Sequence, residues 1–430
     1  MSKLRIPPGL LMHPALLIAL SMLLATPAVA AEAPVSDLPP AAQVAAALNQ
    51  HINVLTAETG VKLEQTNQRK WNSGNYEFNV KAGTSQRKIS ATGQELREWD
   101  VAVERPLRLF NKVMLDSDIG TEGVTRAEFA LGDARHEAAR LLLHLWFNWQ
   151  REQAQVSQWQ QQADILRQQT GMTEKRMRAG DAPKMELNQA QAAAAQAGVS
   201  LQQARMRAQL AASELLRPFP ELSLPAESVL AIPQPIAHDL GYWQEQVFDD
   251  NHELGMVQAE SRIQELMAQR NSADRIPDPA VGVRYSNEKD GEEKVAGVYV
   301  SVPLSFGLRG ANADIARHHA AIAHQLEAAT RRRLEGDVYA AYTQALNTYM
   351  IWQQAQDAAR SVRENAELVA RAYSLGESSL SDVLSARRLA LESSLAATLS
   401  QLDANEARYR LLLDAHQLWS PDEHAGEIKK

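Results

Sequence analysis

Two stretches of this chain repeat each other, and that repetition constrains its fold more than any other feature of the sequence. VAVERPLRLF, from Val101 to Phe110, returns as VYVSVPLSFG from Val298 to Gly307, so that Val101, Val103, Pro106 and Leu107 match Val298, Val300, Pro303 and Leu304. Pro106 and Pro303 lie 197 residues apart. Gly180-Asp181 before MELNQA and Gly376-Glu377 before SDVLSA keep nearly the same spacing, 196. Two landmarks that move together mean a duplicated unit: a pair of strands, a proline elbow, a long helix, a glycine turn and a returning helix. A chain of 430 residues would otherwise suggest two or three globular domains, whereas the repeat predicts two interlocked halves in one elongated body.

The copies fall at 32–215 and 241–420, with a Pro-rich linker over 216–240 and a polar tail over 421–430. Residues 1–31 read as a secretory signal peptide: Lys3 and Arg5 precede an apolar run from Ala15 to Ala25 and then Ala28-Val29-Ala30. That run is too short to span a bilayer as a helix, and no later segment approaches the length needed. Loss of the leader takes the formal charge from −8 to −10, a balance that argues against nucleic acid and anionic lipid and favours cations as companions. Cysteine is absent, which removes thiolate metal sites, thiol redox chemistry and a lipid anchor on an N-terminal cysteine. With few aromatics, abundant Ala and Gln and 22% charged residues, the composition fits long solvated helices.

Apolar positions step by threes and fours from about Ala41 to Gln68, then from Val124 to Ala179, predicting a first helix and a rod of roughly 80 Å. The counterpart of that rod carries Ile315, Ile322, Leu326, Val338 and Ala345. The final return helix carries Leu391, Leu395, Leu402, Tyr409 and Leu413, and seams of this length predict coiled-coil packing. Between the helices the period changes to two. Tyr76, Phe78, Val80 and Ala82 alternate with polar residues, as do Trp99, Val101 and Val103, with a polar link over Thr84–Glu98 expected to be a solvent loop. Val281, Val283 and Tyr285 pair in the same way with Val298, Val300 and Val302 across NEKDGEEK.

A lone hairpin is marginal in water, and these strands have no evident sheet partner within the chain. In a bilayer the strand structure that satisfies its own backbone is a closed barrel with apolar and polar faces. Four strands close no useful barrel, whereas three copies supply twelve.

At this point the chain resembles the TolC-like outer membrane factors, the exit ducts of Gram-negative efflux pumps and type I secretion systems. The resemblance rests on the duplicated plan, on the elbows ERPL and SVPLSFGLRG, and on RAYSLGESSLSDVLSARRLALE, similar to the family's turn R-x-Y-x-x-G-x-x-S-x-x-D-V-L-x-A; RMRAGDAPKMELNQAQ echoes it. It implies a mainly α fold with long coiled-coil hairpins and four transmembrane β-strands per protomer. A homotrimer then forms a 12-stranded outer membrane β-barrel and a periplasmic α-helical tunnel. The implied partners are a periplasmic adaptor (membrane fusion) protein, an inner membrane RND-type pump and outer membrane lipid. The modest length and the G-E-x-S turn resemble the heavy-metal cation efflux (CzcC/CusC-like) branch.

Gly180 and Gly376 stand where long helices reverse, a place glycine serves as a helix C-cap. The resemblance makes Arg176, Gly180, Asp181, Arg371, Gly376 and Glu377 adaptor contacts at the periplasmic tip. Asp181, Glu186, Glu377 and Asp382 have two readings: local helix capping, as in Ser379-x-x-Asp382, or a carboxylate ring around a threefold pore. Pro106 and Pro303 lack an N–H and are expected to mark the barrel-to-helix border. His318, His319 and His324 share no helix face at ligand spacing, so no metal site is expected. HExxH, GxSxG and a phosphate loop are missing, and neither an enzyme nor a cofactor is expected. The expected function is passive export of metal cations or small toxic molecules, with a type I protein-secretion duct or a periplasmic coiled-coil scaffold as alternatives.

Overall fold

A computed structural model of the chain describes residues 37–74, 76–225, 230–305 and 307–419. The predicted signal peptide and the tail over 421–430 lie outside the described residues. The order of elements displays the duplication: α1 (Ala41–Gln50), α2 (Ile52–Ser73), β1 (Asn79–Lys88), β2 (Glu95–Pro106), α3 (Phe110–Arg178) and α4 (Lys184–Leu216). The plan returns as α5 (Leu240–Asp249), α6 (His252–Ala273), β3 (Ala280–Glu288), β4 (Glu293–Ser301), α7 (Leu308–Ser374) and α8 (Leu380–Asp414).

The helical part is held by small-residue packing. Ala163 and Leu166 of α3 meet Ala197 and Leu201 of α4, with Val156, Trp159 and Leu384 against them. Ala268 of α6 meets Ala316 and Ala320 of α7 in the same way. Nearer the middle of the long helices, Trp243 and Val247 of the short α5 fill the space against Val338, Ala345, Ala407 and Leu411. Alanine seams let helix axes come close, and the larger side chains are used where a short helix crosses the pair.

Several sequence expectations need correction. The first helix is broken at His51, whose extended backbone (φ −65°, ψ 133°) separates α1 from α2, and α2 runs on to Ser73. α3 begins at Phe110, fourteen residues before Val124, and its 69 residues extend roughly 100 Å. Its first turns escape the apolar count because, apart from Ile119, the positions they bury are Lys112, Asp116, Gly120 and Gly123. A Cβ on Gly120 would lie 3.0 Å from the Gln68 backbone, so glycine there allows α2 to lie against α3.

The strands are also longer than their apolar residues suggest. Thr84–Lys88 pair with Glu95–Trp99 and leave only 89–94 as the turn, where a loop over Thr84–Glu98 was expected. In the second hairpin Asn287 pairs with Lys294 and Glu288 with Glu293, leaving a tight turn around Lys289–Gly291. The hairpins do find a partner within the chain. β2 pairs antiparallel with β3, giving one sheet in the order β1-β2-β3-β4 with β1 and β4 at its edges.

The Pro-rich linker is more than a tether in its described parts. Phe219 is buried and stacks on His51 at 5.2 Å, and the Ala231 carbonyl accepts from Gln401 Nε2 and Asn405 Nδ2. No helix among the described residues is long and apolar enough to cross a membrane.

Candidate functional site

The strand register sorts the sheet into two unlike faces. Residues opposite one another in a ladder point the same way, so Val80, Val103, Val283 and Val298 form one row, and Ala82, Val101, Tyr285 and Ala296 the next. The opposite face carries Lys81, Ala102, Arg284 and Gly297, then Gly83, Asp100, Ser286 and Val295. The buried residues of the sheet (Leu96, Ala102, Gly282 and Ser286) all lie on this second face, so it is the more enclosed (concave) side and the valine face the more open (convex) side. Val298 is 79% exposed on the convex side and Val80 70%. The concave side is tied by ion pairs: Lys81 to Glu104 at 2.7 Å, Arg87 to Glu98 at 2.8 Å and to Glu288 at 3.2 Å. Tyr299 donates to Glu104 at 2.8 Å. Trp99 and Tyr285 sit side by side toward the turn end of the convex face, their rings 5.7 Å apart.

Where sheet meets helices, a buried ionic knot fixes the border. Lys112, with no exposed surface, places Nζ 2.9 Å from both Asp274 and Asp278 and donates to the Ile276 carbonyl at 2.8 Å. Arg108 and Arg270 take opposite oxygens of Asp116 at 2.9 and 2.6 Å, and Arg270 also pairs with Asp274. Tyr76 donates to Asp278. Sequence reasoning missed this group, although Lys112 and Asp116 at helical spacing, where apolar residues should stand, were a usable signal. Pro106 is the last residue of β2, paired with Ala280, and Pro303 follows the end of β4. The turn into α7 is made by Gly307, whose φ is 84°.

At the far end of the long helices both copies reverse in the same way. Gly180 (φ 86°) follows the end of α3, with Asp181 N–H bonded to the Arg176 carbonyl at 2.9 Å; Gly376 (φ 82°) follows α7, with Glu377 N–H bonded to Ala372 at 2.9 Å. Each is a six-to-one closure with a left-handed glycine. No atom lies within 4 Å of a Cβ built on either, so glycine is required by the backbone rather than by space.

The residues expected at this tip separate into groups. Arg176 joins the two hairpins: its guanidinium lies over the Tyr373 ring, 5.3 Å from the centroid, and donates to the Tyr373 hydroxyl at 2.5 Å. Glu186, in the first turn of α4, is 3.8 Å from Arg176 and accepts from Tyr373 at 3.4 Å. Burial, with the Glu186 carboxylate beside it, raises the Tyr373 phenol above its ordinary pKa. Tyr373 holds the Y position of the R-x-Y-x-x-G turn, but the turn alone gave no sign of its partners, since Arg176 and Glu186 lie 197 and 187 residues away in sequence. Asp382 forms a complete capping box with Ser379, and that hydrogen bonding holds its carboxyl below the usual range. Asp181, Arg371 and Glu377 are exposed.

Among the described residues no group of three or more His, Asp or Glu is placed to hold a metal ion. His324 Nδ1 lies 2.8 Å from Ser261 Oγ instead.

No protein-family model and no curated protein sequence matches the chain. Solved structures do. The Campylobacter jejuni CmeC outer membrane channel covers 90% of this chain and 88% of its own at TM-score 0.71 and 15% identity. The Vibrio cholerae outer membrane protein VceC covers 89% and 99% at TM-score 0.70 and 14% identity. CusC, whose structures describe transmembrane channel formation, covers 88% and 91% at TM-score 0.65 and 15% identity. The duplicated strand and helix plan read from the sequence is therefore the fold of the TolC-like outer membrane channels.

Proposed function

We propose that this chain is the outer membrane channel of a Gram-negative tripartite efflux system: a homotrimer whose twelve strands form the barrel and whose long helices form the periplasmic tunnel. The observation that carries this reading is the sheet, with its convex face apolar and exposed and its concave face charged and ion-paired. A periplasmic scaffold has no use for valines standing in water, whereas a barrel wall turns them to lipid and lines the lumen with the concave face. β1 and β4 supply the edges through which neighbouring copies would join.

In this reading the protein performs no chemistry, and the driving force comes from an inner membrane pump through an adaptor that meets the hairpin tips around Arg176, Gly180, Asp181, Arg371, Gly376 and Glu377. Metal cations or other small cationic solutes suit the negative chain, the surplus of acids on the concave wall and the exposed Asp181 and Glu377. Glu186 and Asp382 would add to an acidic ring, but each carboxylate already has a partner within its own protomer, Tyr373 and Ser379 respectively.

Membrane fractionation tests the assignment. The protein should sediment with outer membranes as a trimer that dissociates on heating in detergent. Recovery as a soluble periplasmic monomer would overturn it.

A further inference from the structure

The charges of the sheet are segregated by face and by height, and this has a consequence for lipid. The convex face carries four basic residues, Lys88, Arg97, Arg105 and Lys294, and one acid, Glu95. The concave face carries Lys81, Arg87 and Arg284 against Glu98, Asp100, Glu104, Glu288 and Glu293. Acids are thus turned inward and bases outward, although the chain as a whole is negative.

The outward bases are not scattered. Lys88, Arg97 and Lys294 all lie at or beyond the level of the Trp99–Tyr285 pair, at the end of the sheet that carries both hairpin turns, and Arg105 lies at the helix end. Three of the nearby carboxylates have other work, while Glu292 in the turn is exposed. Glu95 is held by Lys88 at 3.4 Å and Gln86 at 2.8 Å, Asp290 accepts from the Arg97 backbone N–H at 2.7 Å, and Glu293 pairs with Lys289. The side chains of Arg97 and Lys294 are exposed. Strands lie about 4.8 Å apart, so Arg97 on β2 and Lys294 on β4 flank the aromatic pair at a separation one large headgroup can bridge. A bilayer surface places its phosphates just outside such an aromatic level.

We infer that Arg97 and Lys294 form a docking rim for phosphate-bearing lipid headgroups in the leaflet at the turn end of the sheet. The inference rests on the barrel reading, which puts the convex face in lipid. The occupant is a lipid because the basic rim continues directly from an apolar band of exposed valines. It is anionic because Arg97 and Lys294 present exposed donors and positive charge on a face whose one strand carboxylate, Glu95, is already held by Lys88. The whole-chain charge, which argued against anionic lipid, averages over two faces that never meet the same surroundings.

The test uses the full chain in phosphatidylcholine vesicles doped with lipid A, a bis-phosphorylated glycolipid, and measures the lipid A that co-purifies with the extracted trimer. Each basic side chain near an anionic surface contributes about a fivefold preference. Arg97→Gln and Lys294→Gln should each lower apparent lipid A affinity about fivefold, the double variant should lose both contributions, and added salt should erase the difference. Lipid A stripped of its phosphates should be retained no better by the natural chain than by the double variant, and Arg105→Gln, at the opposite end, should bind lipid A normally. Equal retention by the natural chain and the double variant, both inserted as trimers, overturns the rim. Failure of the natural chain to insert as a trimer overturns the channel reading itself.

Discussion

His136 on α3 is the side chain whose surroundings most change its chemistry. It stacks on His416 at 5.2 Å, His252 stands edge-on to His416 at 5.1 Å, and its Nε2 donates to the Leu413 carbonyl at 3.2 Å. Asp414 lies 3.7 Å away, but that carboxylate is already engaged by Arg140 and Arg410. Burial, reinforced by Arg140, pushes the His136 pKa down from 6.5 to about 3. Between those values the unfolded chain binds a proton that the folded chain refuses. Stability from the neutral imidazole is therefore complete above pH 6.5 and lost as pH falls toward 3, with a slope of at most about 1.4 kcal/mol per pH unit. His252, also lowered by burial, adds to the same slope. Asp37, raised by burial, works in the opposite sense, because the folded state keeps its proton to higher pH. His136→Gln should flatten the fall in melting temperature below pH 6.5 relative to the natural chain. Parallel curves would show that His136 does not set the acid sensitivity.

At the scale of elements, the border between sheet and helices depends on Lys112. Replacing it with Met leaves Asp274 and Asp278 short of a buried cation and should destabilise the protein by about 3–5 kcal/mol. Arg275→Met, which breaks a half-exposed pair with Asp314, should cost about 0–1 kcal/mol. Comparable denaturation midpoints for the two variants would refute the border's dependence on the knot. The elbows give a second test: Pro106→Ala or Pro303→Ala should weaken trimer assembly more than a matched change in 286–294. Gly307→Ala should join the elbow variants, because its φ of 84° is costly for any residue with a Cβ even though the space is open.

These elements also show what the sequence could and could not reveal. The repeat, the valine alternation and the two glycine reversals were legible because each is a local pattern with one physical meaning. The far ends of the strands were not, since Thr84–Lys88 and Glu95–Glu98 are polar apart from Leu96, a composition that fits a loop and a charged sheet end equally. The start of α3 was hidden because, Ile119 apart, its buried residues are ions and glycines matched to α2 and α6, partners that no local window contains. The Arg176–Tyr373 tie was hidden for the same reason, its members being 197 positions apart.

At the scale of the whole molecule, a duct spanning two compartments must be closed when idle, and in the proposed assembly closure lies at the tips. Arg176, Tyr373 and Glu186 bind the α3–α4 hairpin to the α7–α8 hairpin within one protomer. Any movement that separates the hairpins has to break this tie, so the tie favours the closed state of a two-state element. Tyr373→Phe keeps the ring under Arg176 but removes the hydroxyl shared with Glu186. That hydroxyl accepts from Arg176 and donates to Glu186, and each such hydrogen bond of about 1 kcal/mol shifts the equilibrium roughly fivefold per protomer. Single-channel recordings in planar bilayers should therefore show a higher open probability for Tyr373→Phe with unchanged selectivity. The carboxylates should separate by their observed surroundings. Asp382→Asn loses a capping box and should lower stability by about 1 kcal/mol without altering conductance. Asp181→Asn with Glu377→Gln leaves every observed hydrogen bond and ion pair in place but removes exposed charge from the tip, and should reduce cation selectivity while the melting temperature holds. If the double variant conducts and selects like the natural channel, the exposed acids do not form a selectivity ring, and an unaltered open probability in Tyr373→Phe would remove the tie from the gate.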